Sequence, residues 1–398
     1  MGSSSRAAGR ASLAGPSANL LKFVLIGHRR LALRARTTLL CRCALRWCSG
    51  ASTSTHSKWP SMTWFESSTS VPEHSDDVLR AVVERALEQW GLGAARLELI
   101  SRSENVVFRV DNDRGEIFVL RVHRPGYHTL AELNSEQAWN AALRSAGISV
   151  PHLRRTRAGE HYAVVDVPGM AESRHVSVVD WFEGATMYEL IQSESDDQLQ
   201  ATHFEQLGHL MARMHNVTER WTPPAWFERH ALDADGLMGT APFWGPFWES
   251  SMFTQDQRRI LLDARTAFHA KLSALRKDSK SYGMIHADLV SSNVLVNGDE
   301  LHAIDFDDAG FGWFIFDLAV TLTDYVNGPR HDAFRDALVA GYRTERNLDD
   351  EWLELLPMLC AVRALSLMGW AHERPEVDFV DDISGLAEWI ALDVEHHI

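Results

Sequence analysis

Three polar side chains in the second half of the chain have the types and spacing of a metal-dependent site. Asp288 and Asn293 stand close together in the sequence, and Asp305 follows a short way downstream. Two carboxylates and an amide oxygen are hard ligands of the kind that Mg²⁺ prefers. They can act together only if the chain folds back between Asn293 and Asp305.

The intervening residues predict such a fold, a β-hairpin. Its arms are two short apolar runs, 294–296 and 301–304, and Asn297-Gly298 between them is a strong hairpin signal. A hairpin brings its two ends together. We therefore expect Asp288, Asn293 and Asp305 to converge on one spot.

This stretch resembles the catalytic core of protein-kinase-like phosphotransferases, whose motifs are H-R-D-L-x-x-x-N and D-F-G. The first motif stands here as His286-Ala287-Asp288-Leu289 followed by Asn293, and the second as Asp305-Phe306-Asp307. Alanine after the histidine and D-F-D in place of D-F-G depart from protein kinases. Both are similar to the aminoglycoside phosphotransferase superfamily, which includes choline kinases, type II homoserine kinases and bacterial stress-response kinases.

The resemblance implies a bilobal α+β fold of the protein-kinase type. Residues 76–180 would form a nucleotide-binding N-lobe around an antiparallel β-sheet, and residues 181–398 a mainly helical C-lobe that carries catalysis and acceptor binding. It also implies ATP as the phosphoryl donor. Asp288 would orient the acceptor hydroxyl and take its proton, while Asn293 and Asp305 would hold Mg²⁺.

In the N-lobe, a helix from Asp76 and strands over 95–100, 106–110 and 116–122 are predicted from apolar periodicity. The loop 101–105 would cover the phosphates. Ser103 and Asn105 could offer donors to phosphate oxygens. The alternative is an ordinary polar hairpin turn.

Arg121 occupies the position of the phosphate-pairing lysine of kinases, and arginine can bind phosphate through two parallel hydrogen bonds. A helix is predicted over 130–146. Within it, Glu136 is the first candidate for an ion pair with Arg121, and Glu132 is the second. The alternative for Glu136 is a solvated position on the helix face.

The segment Asp180-Trp181-Phe182-Glu183-Gly184 lies between the predicted lobes and resembles the hinge that binds adenine. Asp180 and Phe182 are its candidate nucleotide-binding residues. In the C-lobe, the apolar stripe of 204–214 predicts a core helix, with His215 as a structural residue at its end. The resemblance also implies that Asp317 braces the catalytic loop.

An aromatic insert over 221–248 contains four of the 14 tryptophans. Small-molecule kinases of the superfamily place extra helices here to wall the acceptor site, and aromatic faces beside acids could receive an amine. The alternative is that the cluster only packs the insert onto the C-lobe.

Residues 1–61 contain ten Lys and Arg and no Asp or Glu. We expect this extension to be disordered. An arginine-rich, serine-rich and acid-poor segment is typical of a transit peptide, and the alternative is an untranslated upstream stretch with the true start at Met62. We expect a cytoplasmic location, and a mitochondrial or plastid one only if the transit peptide is genuine.

Without this extension, 29 basic residues face 54 acidic ones, a formal charge of −25. The strong negative charge of residues 62–398 argues against nucleic acid as a partner. It suits a cationic substrate, although ordinary acidity of a soluble protein explains it equally simply. Cys360 is the only cysteine of the body, which fits a reducing compartment. We expect no apolar run long enough to span a bilayer, and the oligomeric state stays open.

The sequence thus predicts an ATP-dependent phosphotransferase with a small-molecule acceptor such as an amino alcohol, an amino acid or an aminoglycoside-like compound. Two alternatives are a protein serine/threonine kinase of the stress-response type and a nucleotide-binding pseudokinase. The intact Asp288, Asn293 and Asp305 argue against the pseudokinase. The acceptor itself cannot be named, because acceptor pockets of this fold are built from variable loops.

Overall fold

An antiparallel sheet forms the N-lobe of the computed structural model, which describes residues 76–93, 95–102, 105–166, 173–326 and 328–374. Its strands are β1 (Arg96–Arg102), β2 (Val106–Asp111), β3 (Ile117–Val122), β4 (Ala163–Val165) and β5 (Arg174–Asp180). Their order in the sheet is β1-β2-β3-β5-β4. The antiparallel sheet of the predicted N-lobe is confirmed. The segment around Leu153 contributes only an isolated bridge to Val179.

Two helices flank this sheet. Helix α1 (Asp76–Leu87) packs against the apolar face of the strands, where Val83, Val110 and Leu120 are completely buried. Helix α2 (Leu130–Ser145) begins with a capping box, in which the side chains of Thr129 and Glu132 each accept a hydrogen bond from the other's backbone N–H. The capping box explains why the helix starts where the apolar pattern predicts.

A short linker joins the two lobes and leads into a small sheet, whose strands come from the chain after the linker and from the predicted hairpin. Strand β6 (Ala185–Thr186) pairs antiparallel with β9 (Val294–Asn297), which pairs with β10 (Glu300–Ala303). Gly184 in the linker has φ +142°, and a Cβ there would lie 2.6 Å from the carbonyl oxygen of Val296. The linker therefore lies directly against the catalytic hairpin.

The hairpin itself is confirmed, with one correction to its turn. Asn297 is the last residue of β9 and pairs with Glu300, so the two central turn residues are Gly298 and Asp299. Asn297-Gly298 was expected to form the turn. Gly298 has φ +61°, a left-handed conformation that glycine adopts without steric cost.

The C-lobe is mainly helical. Its helices are α3 (Met187–Ser193), α4 (Asp197–Arg220), α5 (Ala234–Met238), α6 (Gln255–Ser273), α7 (Phe314–Thr323), α8 (His331–Glu345), α9 (Asp350–Leu353) and α10 (Leu356–His372). A three-stranded sheet lies among them, in which β11 (Gly310–Trp313) is parallel to β7 (Ala231–Leu232) and antiparallel to β8 (Tyr282–Ile285). Thus the helical C-lobe that the resemblance implied is also confirmed.

Helices α4 and α8 approach each other closely through two glycines. A Cβ on Gly208 would lie 2.0 Å from the carbonyl oxygen of Leu338, and one on Gly341 would lie 1.8 Å from that of Glu205. The predicted stripe of α4 is completely or almost completely buried: Phe204, Leu207, Leu210, Met211 and Met214. This contact fixes the helix that ends beside the catalytic loop.

The stretch Asp350–His372 corrects one expectation. By length and composition it is apolar enough to cross a membrane, although we expected no such stretch, and 72% of its apolar window is buried inside the protein. That burial is typical of a core helix of a globular lobe. The extension 1–61 and Ser103 lie outside the described residues.

We expect Gly208→Ala to destabilise the protein by about 1–3 kcal/mol, because the added methyl group forces α4 away from α8. This loss should exceed the gain of up to about 1 kcal/mol that alanine brings to a helix interior. Urea unfolding measures the difference.

The matched control is Glu205→Ala, an exposed substitution on the same helix, which should change stability by less than about 0.5 kcal/mol. Equal stability of the two variants would contradict the close contact between the helices.

Candidate active site

The loop after β8 brings Asp288 and Asn293 into direct contact. A turn of 3₁₀ helix over Ser291–Asn293 folds the chain back. The Asn293 amide nitrogen then donates to the Asp288 carboxylate oxygen Oδ2 at 2.8 Å and to the Asp288 carbonyl oxygen at 2.9 Å. Both side chains therefore lie at the same end of the β9–β10 hairpin, as the sequence predicts.

Asp317 holds the backbone of this loop through two hydrogen bonds. Its two carboxylate oxygens accept hydrogen bonds from the backbone N–H of His286 at 3.0 Å and of Ala287 at 2.7 Å. Ala287 has φ +65°, which is unfavourable for a residue with a Cβ, so the loop needs this brace. The position of Asp317 agrees with the bracing role that the resemblance implied.

His215 supports Asp317 in turn. Its Nε2 lies 3.0 Å from Asp317 Oδ2, its Nδ1 lies 2.9 Å from the Tyr342 hydroxyl, and the imidazole is completely buried. Burial alone would raise the pKa of Asp317, but His215 and the backbone donors outweigh it and hold that pKa below its ordinary value. His215 is structural, as predicted.

The loop after β10, which we call the acidic loop, contains three acids: Asp305, Asp307 and Asp308. Asp305 has φ +63° and Asp307 is buried, and both accept from the same guanidinium nitrogen of Arg121 at 2.8 Å. Asp308 accepts from the Tyr127 hydroxyl and from the Trp244 indole N–H at 3.2 Å. Strand β3 and the aromatic insert thus reach this loop from two sides.

The predicted ion pair between Arg121 and Glu136 is replaced by a different one. Both residues are described, and Arg121 pairs with Asp305 and Asp307 instead. Glu136 is 3% exposed, and its carboxylate accepts from the side-chain amide of Gln137. Burial, reinforced by Asp307 and opposed by Arg121, raises the pKa of Glu136 to about 7. The carboxylates of the D-F-D loop are therefore the direct partners of Arg121. Glu136 acts on it only at longer range.

Asn105 ties the loop between β1 and β2 to the acids. Its side-chain nitrogen donates to Asp307, and its side-chain oxygen accepts from the backbone N–H of Arg124 at 3.2 Å. The amide that we expected to donate to phosphate is therefore engaged within the protein. The structure does not describe Ser103, the other candidate of this loop.

The hinge candidates point in separate directions. Asp180 is the last residue of β5, and its carboxylate pairs with Arg154 and His152, while its backbone N–H donates to the carbonyl oxygen of His152 at 3.0 Å. The Phe182 ring stacks on the His302 imidazole at a centroid distance of 4.4 Å. Phe182 thus lies against the catalytic hairpin, and Asp180 lies at the margin of the sheet.

Two arginines at the site were not found from the sequence. Arg229 of the insert donates to the carbonyl oxygens of Phe306, Asp307 and Ala309 and so holds the acidic loop. Arg363 of α10 donates to Asp288 Oδ1 at 2.5 Å. A signal for Arg363 exists, because it is a lone charge in the apolar run 356–369. A charge there requires a buried partner.

The electrostatics separate the acids from one another. Burial raises the pKa of Asp288 well above its ordinary value although Arg363 opposes the shift. Desolvation within the cleft, reinforced by Asp307 and Asp308, raises the pKa of Asp305 to about 6. Burial also acts on Asp307, but Arg121 and neighbouring groups outweigh it and lower its pKa to about 2. Differently tuned carboxylates in one cleft are typical of a catalytic site.

The donor set fits a hard divalent cation that also binds phosphate. The Asn293 nitrogen is used by Asp288, which leaves the amide oxygen for a metal, and the Asp305 side chain is 44% exposed. In the described part of the chain, no three His, Cys, Asp or Glu side chains are arranged to enclose a metal. Phosphate and water oxygens would complete the coordination, as is usual for Mg²⁺.

Comparisons with known proteins agree with this fold. A model of the phosphotransferase enzyme family, APH, matches residues 96–356. An amicoumacin kinase of Bacillus subtilis is 23% identical over 313 residues, which cover 76% of this chain and 87% of that protein. The two sequences are therefore alike over both lobes.

Solved structures agree as well. A microcompartment-associated aminopropanol kinase superposes with a TM-score of 0.70 at 29% identity, over 80% of this chain and 97% of that one. An amicoumacin kinase in complex with AMP-PNP and Ca²⁺ superposes with a TM-score of 0.65 at 21% identity, over 80% and 93% of the chains. Because the identity to this second structure is only 21%, the likeness shows a shared fold and nothing further.

We expect Asp317→Asn to destabilise the protein by about 2–4 kcal/mol, because the amide cannot accept from all of His286, Ala287 and His215. The phosphotransfer rate should fall at least tenfold, since the backbone of Asp288 loses its support. Urea unfolding and initial rates measure the two effects.

The control is Asp336→Asn, which breaks an exposed ion pair with Arg335 on α8 and should cost less than about 1 kcal/mol. An Asp317→Asn enzyme with the stability and rate of this control would contradict the bracing role.

Proposed function

Because the chain belongs to the phosphotransferase enzyme family and is an ATP-dependent kinase of small molecules, we propose that its acceptor is a hydroxyl compound that also carries an amine. One observation carries the site assignment. Asp288, bound to Asn293, stands at the open end of the hairpin whose other arm leads to Asp305. A proton acceptor and two metal donors on one rigid element are what phosphoryl transfer to an alcohol requires.

Asp288 is the proposed general base. Its carboxylate orients the acceptor hydroxyl and takes the proton as the oxygen attacks the γ-phosphorus. The bond from that phosphorus to the β–γ bridging oxygen breaks, and ADP leaves with the charge. The burial that raises the pKa of Asp288 also makes this carboxylate a stronger base.

In this proposal Arg121 would bind phosphate oxygens, and Asn105 and Ser103 belong to the loop that would cover the phosphates. Glu136 in α2 would act on the charge of Arg121 at longer range. Asn293 and Asp305 would hold the divalent metal, for which we propose Mg²⁺. The metal supplies charge neutralisation between the phosphates.

For adenine we propose the backbone of residues 181–183 with Phe182 close by. The Asp180 carboxylate and backbone N–H already have partners at the sheet, which argues against a direct role for that residue. Phe182 offers an apolar ring whose orientation is fixed by stacking on His302. The nucleotide would then lie along the linker that contacts β9.

A cavity of about 280 Å³ beside the acidic loop is the proposed acceptor site. Its walls come from the loop after β3, the aromatic insert and the end of α10: Arg124, Pro125, Gly126, Tyr127, Phe243, Trp244, Glu373 and Arg374. Glu373 and the nearby Asp308 offer carboxylates to an ammonium group, and the Tyr127 ring of this wall already contacts a cation, the Arg374 guanidinium, at 5.3 Å. Aminopropanol, after which a similar kinase is named, carries both an amine and a hydroxyl.

A larger cavity of about 790 Å³ lies elsewhere in the C-lobe, lined by residues of α7 to α10 such as Val339 and Leu356. None of its lining residues belongs to the catalytic or acidic loop. We therefore assign the acceptor to the smaller cavity. We further propose a cytoplasmic enzyme that binds neither nucleic acid nor a membrane.

The first experiment is ATP-dependent transfer to a panel of amino alcohols, hydroxy amino acids, aminoglycosides and a generic protein substrate. We expect transfer to one amine-bearing alcohol, and a loss of about 10²–10⁴-fold per folded molecule in Asp288→Ala. Rates are normalised to the concentration of folded protein, because this substitution also leaves the buried Arg363 without its partner and lowers stability. Product formation is followed by ADP release and mass spectrometry.

Labelling of the protein substrate alone would instead support a stress-response kinase, and nucleotide binding without transfer would support a pseudokinase. Asp299→Ala in the exposed turn of the same hairpin serves as the control and should keep full activity.

Asp305→Asn should abolish Mg²⁺-dependent turnover, because an amide oxygen lacks the charge that holds the cation. The measurement is the rate as a function of Mg²⁺ concentration, with Asp299→Asn as the matched substitution at the opposite end of the hairpin. A wild-type Mg²⁺ dependence of the rate in Asp305→Asn would contradict the assignment of Asp305 as a metal ligand.

A further inference from the structure

Arg363 is a buried cation in the middle of an apolar helix. Its side chain is 5% exposed, and its neighbours in α10 include Leu359, Val362 and Met368, which are also buried. A buried charge is costly unless it has a partner of opposite sign. The partner is the carboxylate of Asp288, whose Oδ1 accepts from the Arg363 guanidinium at 2.5 Å.

We propose that Arg363 is a positioning residue for phosphoryl transfer, which fixes the orientation of the Asp288 carboxylate toward the acceptor hydroxyl. This inference rests on the proposed role of Asp288 as the base. It adds a residue from α10 to a site otherwise built from the catalytic loop, the acidic loop and the N-lobe.

The geometry of the two donors carries the inference. Arg363 donates to Oδ1 and Asn293 donates to Oδ2, so each carboxylate oxygen is held by a different group. Two donors on opposite oxygens fix the rotation of the carboxylate about its Cβ–Cγ bond. Each oxygen keeps a further lone pair for the hydroxyl proton. Since Asp317 already fixes the backbone here, the side chain has little freedom left.

Trp244 of the aromatic insert fixes Arg363 in turn. The guanidinium carbon lies 5.1 Å from the centre of the Trp244 ring, within the range of a cation–π contact. The indole N–H of Trp244 donates to Asp308 at 3.2 Å. The insert therefore reaches the base through Arg363. A planar guanidinium can stack on the ring and donate in its plane at once, and a lysine ammonium cannot.

A purely structural role for Arg363 makes a different prediction. It would lower stability and reduce the amount of active enzyme, without changing the rate of each folded molecule. A positioning role lowers kcat while the KM for ATP stays the same, because the nucleotide site does not contact α10 in the proposed arrangement. The two roles are separated by the split between kcat and KM.

Arg346 offers a matched control. It is also a buried arginine, it pairs with Glu219 at 2.5 Å, and it lies 4.8 Å from the Phe314 ring. It does not donate to Asp288, so Arg346→Met removes a comparable ion pair and ring contact from the same lobe. Any loss that both variants share is a loss of stability.

The experiment compares the full-length wild type with Arg363→Met, Arg363→Lys, Trp244→Phe and Arg346→Met. For each, kcat and KM are normalised to the concentration of folded protein, with the acceptor found in the panel and with water as acceptor in slow ATP hydrolysis. Arg363→Met should lower kcat by about 10²-fold with the KM for ATP within about twofold. Arg363→Lys should lose less of its kcat than Arg363→Met, and Trp244→Phe should show the smallest loss of kcat of the three variants.

The positioning role is overturned if the kcat of Arg363→Met lies within about threefold of the kcat of Arg346→Met. It is also overturned if Arg363→Lys has the full wild-type kcat, because lysine lacks the planar N–H donors of the guanidinium. If no acceptor in the panel reacts, the proposed acceptor class fails, and the hydrolysis rates still decide the role of Arg363. A wild type that neither transfers nor hydrolyses would overturn both proposals. An insoluble Arg363→Met leaves Arg363→Lys and Trp244→Phe to decide.

Discussion

Negative charge concentrated at one end of the β9–β10 hairpin is the constraint on which the rest of the structure depends. The carboxylates belong to four residues of two adjacent loops: Asp288, Asp305, Asp307 and Asp308. Three arginines from separate parts of the chain bind these loops: Arg121 in β3, Arg229 in the insert and Arg363 in α10. Like charges at close range in a buried site repel strongly unless cations and hydrogen-bond donors offset them. The positions of both lobes around the hairpin satisfy this requirement.

The three arginines act on different parts of this charge. Arg121 binds two side chains of the D-F-D loop, and Arg229 binds only its backbone carbonyl oxygens. Arg363 binds the single carboxylate that is proposed to accept a proton. The acids are therefore not equivalent. Burial raises the pKa of Asp288 and of Asp305, whereas Arg121 together with the Asn105 hydrogen bond and neighbouring groups lowers the pKa of Asp307. Separate tuning of neighbouring carboxylates is how one cleft can hold a metal and a base together.

The sequence predicted what is local and missed what depends on long-range partners. Asp288, Asn293 and Asp305 could be brought together because one short hairpin connects them, and its apolar arms and turn are visible in the residues. The partner of Arg121 could not, since Asp305 is 184 positions away and several acids compete for one guanidinium. Glu136 was the first candidate, but its carboxylate accepts a hydrogen bond from Gln137 instead. Asn105 shows the same limit: its polar loop is visible in the sequence, and the partner of its side-chain amide is not.

The pairing of Asp288 with Arg363 has a consequence for the order in which the protein is made. The two residues are 75 positions apart, so a ribosome that has just synthesised the catalytic loop has not yet produced the cation that binds the partly buried Asp288 carboxylate. Until α10 has left the exit tunnel, Asp288 stays either hydrated or protonated, and the acidic loop lacks one of its three cations. A nascent or truncated chain that ends before α10 therefore contains both loops but lacks the cation that holds the proposed base. If Arg363 positions Asp288 as proposed, full phosphoryl transfer would require a nearly complete C-lobe, and incomplete chains would consume little ATP.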